Sequence, residues 1–183
     1  MPPEIPSDQV RAALQAFQDA YTTRDFDKLD EFMELFVQDE GIELIGIGAA
    51  VRGGTEWFLG PEQVRDIVKG DWEYWGDVLL DVPGAKITVS GDVAWLSAQG
   101  QLVQTTTFDR ALPFYMEQME ALLKDESMDH DTRLMEATHF GMRRLRERAR
   151  GMGHAWPFTF TAVLQHVDGR WRFHTIHWAM PVD

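Results

Sequence analysis

The chain of 183 residues contains no cysteine, which excludes disulfide bonds and thiolate chemistry. Basic residues are also few, because 17 lysines and arginines stand against 30 acidic residues and give a formal net charge of -13. Such a chain repels phosphate backbones, so we expect no nucleic acid among its partners. No apolar run is long enough to span a bilayer, and the N-terminal residues show neither the basic start nor the apolar stretch of a signal peptide. We therefore expect no membrane partner and a cytoplasmic location.

The order of periodicities along the chain predicts an α+β fold. Apolar residues recur at helical spacing from about residue 7 to 23, again after Asp27, and in a segment that begins at Gly60-Pro61, where proline suits the first turn of a helix. From Val78 onward the period is two, which is typical of antiparallel strands. Helices followed by a meander of strands predict one domain over residues 1–183, large enough to bury an ordinary core.

Residues 108–154 interrupt the strand pattern with two helical stripes. The residues of the second stripe are three and four apart, as in a heptad seam. They are Met135, Thr138, Met142, Leu145 and Ala149. We predict a helical hairpin inserted between two strands. Because such a seam is stable only against a partner surface, we expect the insertion to be a lid or an interaction element.

The last part of the chain contains the strongest hairpin signal, because Asp168-Gly169 separates two runs of β-branched and aromatic residues. A two-residue turn there pairs Trp171 with His166 and, further along, His177 with Phe160. The face that carries these residues is strongly apolar and is predicted to line a pocket. The opposite face is predicted to lie on the convex side of the sheet and to form a homodimer interface through His174, Ile176 and Trp178.

Five short motifs occur in one order along the chain. They are Thr23-Arg24-Asp25-Phe26-Asp27, Leu35-Phe36 with Asp39, Gly60-Pro61-Glu62, Gly91-Asp92-Val93-Ala94-Trp95 and Asp168-Gly169-Arg170-Trp171-Arg172-Phe173. In this order they make residues 8–107 and 156–181 resemble the SnoaL-like branch of the nuclear transport factor 2-like superfamily, which includes ketosteroid isomerases. The resemblance implies a cone-shaped, strongly curved antiparallel sheet wrapped around three N-terminal helices, an enclosed pocket and frequent homodimers.

The resemblance also implies a place to look for isomerase chemistry. Ketosteroid isomerases use a tyrosine of the first helix as a hydrogen-bond donor and a carboxylate early in the first strand as a base. The corresponding positions here carry Phe17 and Leu44. Because neither side chain can donate a hydrogen bond or accept a proton, we do not expect steroid isomerisation by this route.

His177 is the one titratable residue that the hairpin register predicts at the apolar end of the pocket. It is either an acid/base or ligand-binding histidine, or a core histidine that bonds to a hydroxyl or backbone group. The other predicted ligand-binding residues offer flat apolar walls or a few polar groups, although the tryptophans could equally fill the core and Arg110 could be a plain surface residue. They are Trp57, Trp72, Trp75, Trp95, Phe160, Thr175 and Arg110.

The sequence contains no convincing metal or cofactor motif. His174 and His177 are three residues apart on a strand, which places them on opposite faces, and Glu136 with His139 forms only half of a di-iron pattern. We therefore expect no metal and no cofactor. Three functions stay open: a protein that binds a small apolar or aromatic molecule, an isomerase, hydrolase or cyclase that uses His177, and a non-catalytic dimeric association module.

Overall fold

The computed structural model describes residues 6–54 and 56–180, so the ends of the predicted domain lie outside it. The chain divides into two compact units, one formed by residues 1–102 with 155–183 and the other by residues 103–154. The helices of the first unit are α1 (Pro6–Thr23), a 3-10 turn (Phe26–Lys28), α2 (Leu29–Met33) and α3 (Gly60–Tyr74). The three predicted N-terminal helices are therefore confirmed.

Seven strands form one curved sheet that does not close on itself. They are β1 (Glu43–Ile45), β2 (Trp57–Leu59), β3 (Asp77–Leu80), β4 (Lys86–Ser90), β5 (Val93–Val103), β6 (Ala155–Val167) and β7 (Arg170–Ala179). The strand order is β2-β1-β7-β6-β5-β3, and β4 pairs with β5 as well. The α+β class is confirmed, with two differences in detail: β1 runs parallel to β7, and β2 was not predicted.

Aromatic rings fill the space between the helices and the sheet of the first unit. The predicted stripe of α1 is buried, and Phe17 at its centre is fully inaccessible to solvent. Its ring centroid lies 4.8 Å from that of Tyr21 and 5.3 Å from those of Phe160 and Phe173. Stacked and tilted ring pairs at these distances add to the stability that burial provides.

The β6–β7 hairpin contains a bulge that the sequence analysis did not predict. Asp168 and Gly169 both have positive φ, 53° and 77°, as a two-residue turn requires, and Phe173 pairs with Leu164 as expected. The next pair is Thr175 with Val163, so His174 is an extra residue on β7. A bulge of one residue exchanges the two faces of the strand beyond it.

The predicted face assignment after residue 174 is therefore wrong. Ile176 and Trp178 are only 1% and 2% exposed and belong to the core, whereas His177 pairs with Thr161 and is exposed on the outward face. His174, at the bulge itself, is half-buried, and its Nδ1 lies 2.9 Å from the Thr175 hydroxyl oxygen. The predicted convex interface of His174, Ile176 and Trp178 does not exist as one surface.

The second unit contains the predicted helical hairpin, formed by α4 (Phe108–Lys124) and α5 (His130–Ala149). The buried guanidinium of Arg148 holds it together, because Nε donates to the Tyr115 hydroxyl oxygen at 3.0 Å and a terminal nitrogen donates to the Thr106 carbonyl at 2.6 Å. These bonds satisfy a charge that would be costly to bury alone. Among the described helices, none is both long enough and apolar enough to cross a bilayer.

Candidate functional site

Two grooves lie along the strands of the first unit, and both include side chains of the outward sheet face. The first groove has a volume of about 700 Å³ and is formed by parts of β3, β5, β6 and β7. Its lining includes Leu79, Asp81, Gln99, Gln101, Thr159 and Met180. Apolar walls with a few amide, hydroxyl and carboxylate groups are the usual lining of a small-molecule site.

A close backbone approach and two exposed amides characterise the first groove. A Cβ atom at Gly100 would overlap the ring of Phe158, so glycine allows the ring to pass close to β5. The side-chain amides of Gln99 and Gln101 make no hydrogen bond to any residue that the structure describes. Each exposed amide has both donor and acceptor groups, so either could orient a bound molecule.

The second groove, of about 360 Å³, brings together three residues that the sequence analysis selected. Trp95, Thr175 and His177 line it together with Lys86 and Thr161. His177 is exposed there, and within the described part of the chain its ring has no hydrogen-bond partner. These three residues, which were predicted to lie in an interior pocket, therefore lie on the outward face of the sheet.

The other predicted ligand-binding residues do not join either groove. Phe160 and Trp72 are core residues, 0% and 3% exposed, and Trp75 packs edge-on against Trp178 with ring centroids 5.4 Å apart. Arg110 is exposed on α4, in the second unit. The prediction that Phe160 faces a ligand together with His177 is wrong, because the bulge separates the two residues onto opposite faces.

A carboxylate that the sequence analysis did not select stands beside Trp57. The indole nitrogen of Trp57 donates to Glu43 Oε2 at 2.9 Å, and two nitrogens of Arg52 donate to Oε1 at 2.9 and 2.6 Å. The hydrogen bond from Trp57, followed by that from Arg52, lowers the pKa of Glu43. The chain therefore does carry an acid in its first strand, but Leu44 faces the core and Glu43 faces outward. The alternation Glu43-Leu44-Ile45 is the sequence signal of this arrangement.

A hydroxyl group is also present on α1, one helical turn after Phe17. Tyr21 is 1% exposed, and its hydroxyl donates to Asp71 Oδ2 at 3.1 Å. Burial, together with the negative charge and hydrogen bond of Asp71, raises the pKa of Tyr21 well above its usual value. Beside this pair the indole nitrogen of Trp72 is buried without a partner among the described residues. Because the Tyr21 hydroxyl is committed to Asp71 and surrounded by rings, we assign it a structural role.

Titratable residues do not gather into a metal site in the described part of the chain. No group of three or more histidines, aspartates or glutamates there is arranged to hold an ion. The expectation that a spacing of three places His174 and His177 on opposite faces of β7 is wrong, because His174 is the extra residue of the bulge and the faces are exchanged beyond it.

Sequence comparison identifies the family. Residues 10–121, more than half of the chain, match the model of the SnoaL-like domain. The chain belongs to this family. The match of this SnoaL-like chain extends into α4, further than the resemblance at residues 8–107 implied. No curated protein matches the chain.

Solved structures agree with this fold. A nuclear transport factor 2-like protein of unknown function from Shewanella oneidensis is 15% identical with a TM-score of 0.54, and the match covers 96% of this chain and 99% of that one. A nuclear transport factor 2-like superfamily protein from Salmonella enterica is 12% identical with a TM-score of 0.57, covering 96% and 91%. A protein with a cystatin-like fold from Caulobacter vibrioides is 13% identical with a TM-score of 0.57, covering 96% and 89%. At these identities the comparison establishes the fold alone.

Proposed function

We propose that this SnoaL-like protein binds a small, mainly apolar or aromatic molecule in the first groove. The observation that carries the proposal is the groove itself, whose volume of about 700 Å³ falls within the range of roughly 300 to 1,000 Å³ found for small-molecule sites. Leu79 and Met180 offer apolar surface to the body of such a molecule. Gln99 and Gln101 offer amides that can pair with one or two of its polar groups.

The charges around the groove indicate the electrical character of the ligand. Asp81 is the one charged residue among the described residues that line the first groove, and its Oδ1 already accepts a hydrogen bond from the Gly84 backbone at 3.0 Å. With a chain charge of -13, an anionic molecule would be repelled. We therefore infer a neutral or weakly cationic ligand with an apolar or aromatic body.

The test compares two substitutions on the same strand. Thr159 and Thr161 are both exposed on β6, two residues apart, and Thr159 lines the first groove whereas Thr161 lines the second. Thr159→Trp should fill the first groove and abolish stabilisation by neutral aromatic probes in a thermal-shift panel, and Thr161→Trp should leave it unchanged. A panel in which no probe stabilises the protein, or in which Thr159→Trp binds as well as the unmodified chain, would contradict the proposal.

The second groove favours an enzymatic function as a second candidate. His177 could act there as the acid/base of an isomerase, hydrolase or cyclase, because an exposed imidazole without a hydrogen-bond partner among the described residues can exchange a proton with a bound molecule. Trp95 would supply a flat wall and Thr175 a hydroxyl. Once a substrate is found, His177→Gln should lower kcat. Unchanged turnover would end this candidate.

The outward sheet face also supports the proposal of homodimerisation, with residues that replace those first predicted. Val93, Trp95 and Val163 are between 37% and 49% exposed on this face. Exposed apolar residues that share one face are typical of association surfaces. Trp95→Glu should convert a dimer formed there into a monomer in sedimentation experiments.

A further inference from the structure

The heptad seam of α5 faces solvent. Met135, Met142 and Leu145 are 68%, 66% and 57% exposed, and the other two residues of the seam, Thr138 and Ala149, are exposed as well. A regular, mainly apolar stripe along a 20-residue helix is thus exposed to solvent.

A different face of α5 packs against α4. The Tyr115 and Phe140 rings are 6.1 Å apart, and a Cβ atom at Gly141 would lie 3.0 Å from the Met119 sulfur. The close approach of the helices at Gly141 and the bonds from Arg148 to Tyr115 fix this packing. The seam is therefore not the contact that holds the hairpin together.

The exposed stripe of α5 has a counterpart on α4. Leu112, Met116 and Leu123 are also exposed. Successive residues of a helix are about 100° apart around its axis. On each helix the exposed stripe is therefore rotated by roughly 110° about the helix axis from the residues that contact the other helix. The two helices are antiparallel, since Leu123 contacts Arg133 at one end and Tyr115 contacts Arg148 at the other. Because the helices are antiparallel and the rotation has the same direction and size on both, the two stripes face the same side of the hairpin. They therefore share one surface.

We call this surface the hairpin face. It consists of Leu112, Met116, Leu123, Met135, Met142 and Leu145. The spacing of the seam residues on α5 indicates that a helix packs on this surface. Steps of three and four residues average 3.5, the period that brings the side chains of one helix repeatedly into the gaps of a second helix.

The charges at the two ends of α5 identify the second helix. Near the N-terminal end the exposed acid Asp131 lies four residues before Met135, in line with the seam, and the C-terminal end carries Arg146 and the exposed Arg150. A parallel copy of α5 would place acid beside acid and base beside base. An antiparallel copy places the acid of each helix beside the arginines of the other, which is favourable and selects this orientation.

We propose that two copies of the chain associate through the hairpin face, with α5 of one copy antiparallel to α5 of the other. With the two-fold axis near the middle of the helix, Met135 meets the second copy's Leu145, Thr138 meets the second copy's Met142, and Asp131 lies opposite the second copy's Ala149, next to Arg150 of that copy. The same patch is used on both copies, so the association closes at a dimer. The two hairpins form a four-helix arrangement, separate from any contact through the outward sheet face.

The first test introduces a charge at the centre of the seam. In sedimentation velocity from 1 to 100 µM, Met142→Glu should weaken association at least about 30-fold, because two buried carboxylates then face apolar side chains. Met152→Glu is the matched control, since Met152 is 56% exposed but lies beyond the end of α5, and it should leave association unchanged. The measurements are repeated with Trp95→Glu in every chain, so that contact through the sheet face does not mask the result.

The second test exchanges the charges. Asp131→Arg and Arg150→Glu should each weaken the dimer by several-fold, and the double variant should restore it, provided that circular dichroism shows equal helix content. Three results would overturn the proposal: a chain that stays monomeric at 100 µM, equal association of Met142→Glu and Met152→Glu, or a monomer whose hairpin face instead binds phosphatidylglycerol vesicles and loses that binding in Met142→Glu.

Discussion

Replacing Tyr21 with phenylalanine removes one hydroxyl group from the interior of the first unit and leaves the ring contacts in place. Tyr21 stacks on Phe17 at 4.8 Å, and Phe at position 21 preserves that packing. The lost interaction is the 3.1 Å hydrogen bond to the Asp71 carboxylate. A bond to a charged acceptor contributes about 1.5 to 3 kcal/mol when fully buried, and Asp71 is only half-buried, so we expect a loss near the lower end, about 1.5 kcal/mol. For a chain of this size the melting temperature should fall by about 3 to 6 °C.

The effect of Tyr21→Phe depends on pH in a defined direction. Burial and Asp71 raise the pKa of Tyr21 in the folded protein, while the unfolded chain ionises near pH 10. The contribution of the neutral tyrosine is therefore complete below pH 10 and is lost as the pH rises from 10 toward the higher folded value. Because phenylalanine does not ionise, the stability difference between the two proteins should shrink above pH 10, by at most about 1.4 kcal/mol per pH unit.

Urea unfolding followed by tryptophan fluorescence measures both effects, because Trp72 and Trp178 lie close to Tyr21. The control is Asp71→Asn, alone and combined with Tyr21→Phe, in a double-mutant cycle whose coupling energy reports the pair itself. A coupling energy below about 0.3 kcal/mol at pH 8, or a stability difference that stays constant from pH 8 to 11, would refute the assignment of a buried tyrosine–carboxylate bond.

Three further changes test other parts of the structure. Gly100→Ala should lower the free energy of unfolding by about 1 to 3 kcal/mol, because its Cβ overlaps the ring of Phe158; equal urea midpoints would contradict this close approach. Glu43→Gln should remove a stabilisation that is present above pH 4.5 and is lost as the pH falls through the lowered pKa of Glu43, so acid unfolding of the variant should lack that part of the slope. Deletion of His174 should remove the bulge while Thr175 still pairs with Val163 and Ile176 still faces the core, so the deleted chain should keep its near-ultraviolet circular dichroism; loss of that spectrum would contradict the assignment of His174 as the extra residue.

The elements that depend on local spacing could be predicted from the sequence. The stripe of α1, the turn at Asp168-Gly169 and the two helices between β5 and β6 all follow from neighbours within a few residues. The sequence of β7 also contains a signal for the bulge. Apolar residues of β7 lie at positions 171, 173, 176 and 178, and the single step of three marks the extra residue, while the apolar residues of β6 alternate without a break.

The candidate site was harder to predict because its parts come from distant segments. The first groove combines parts of four strands separated by up to about a hundred residues, and no local pattern joins Leu79 to Thr159 or Met180. Three selected residues, Trp95, Thr175 and His177, do meet in the second groove, since strand alternation alone fixes their faces once the bulge is counted. The role of His177 stays a prediction.

The strand order has a consequence for how the sheet meets other polypeptides. Its three longest strands, β5, β6 and β7 with 11, 13 and 10 residues, lie between the ends, while β2 and β3 at the two ends have 3 and 4 residues and β4 has 5. An incoming extended chain would find few unpaired backbone groups to continue the ladder. The sheet is therefore protected from edge-to-edge fibril growth, and contacts between copies are directed to side-chain surfaces, where single substitutions can control them.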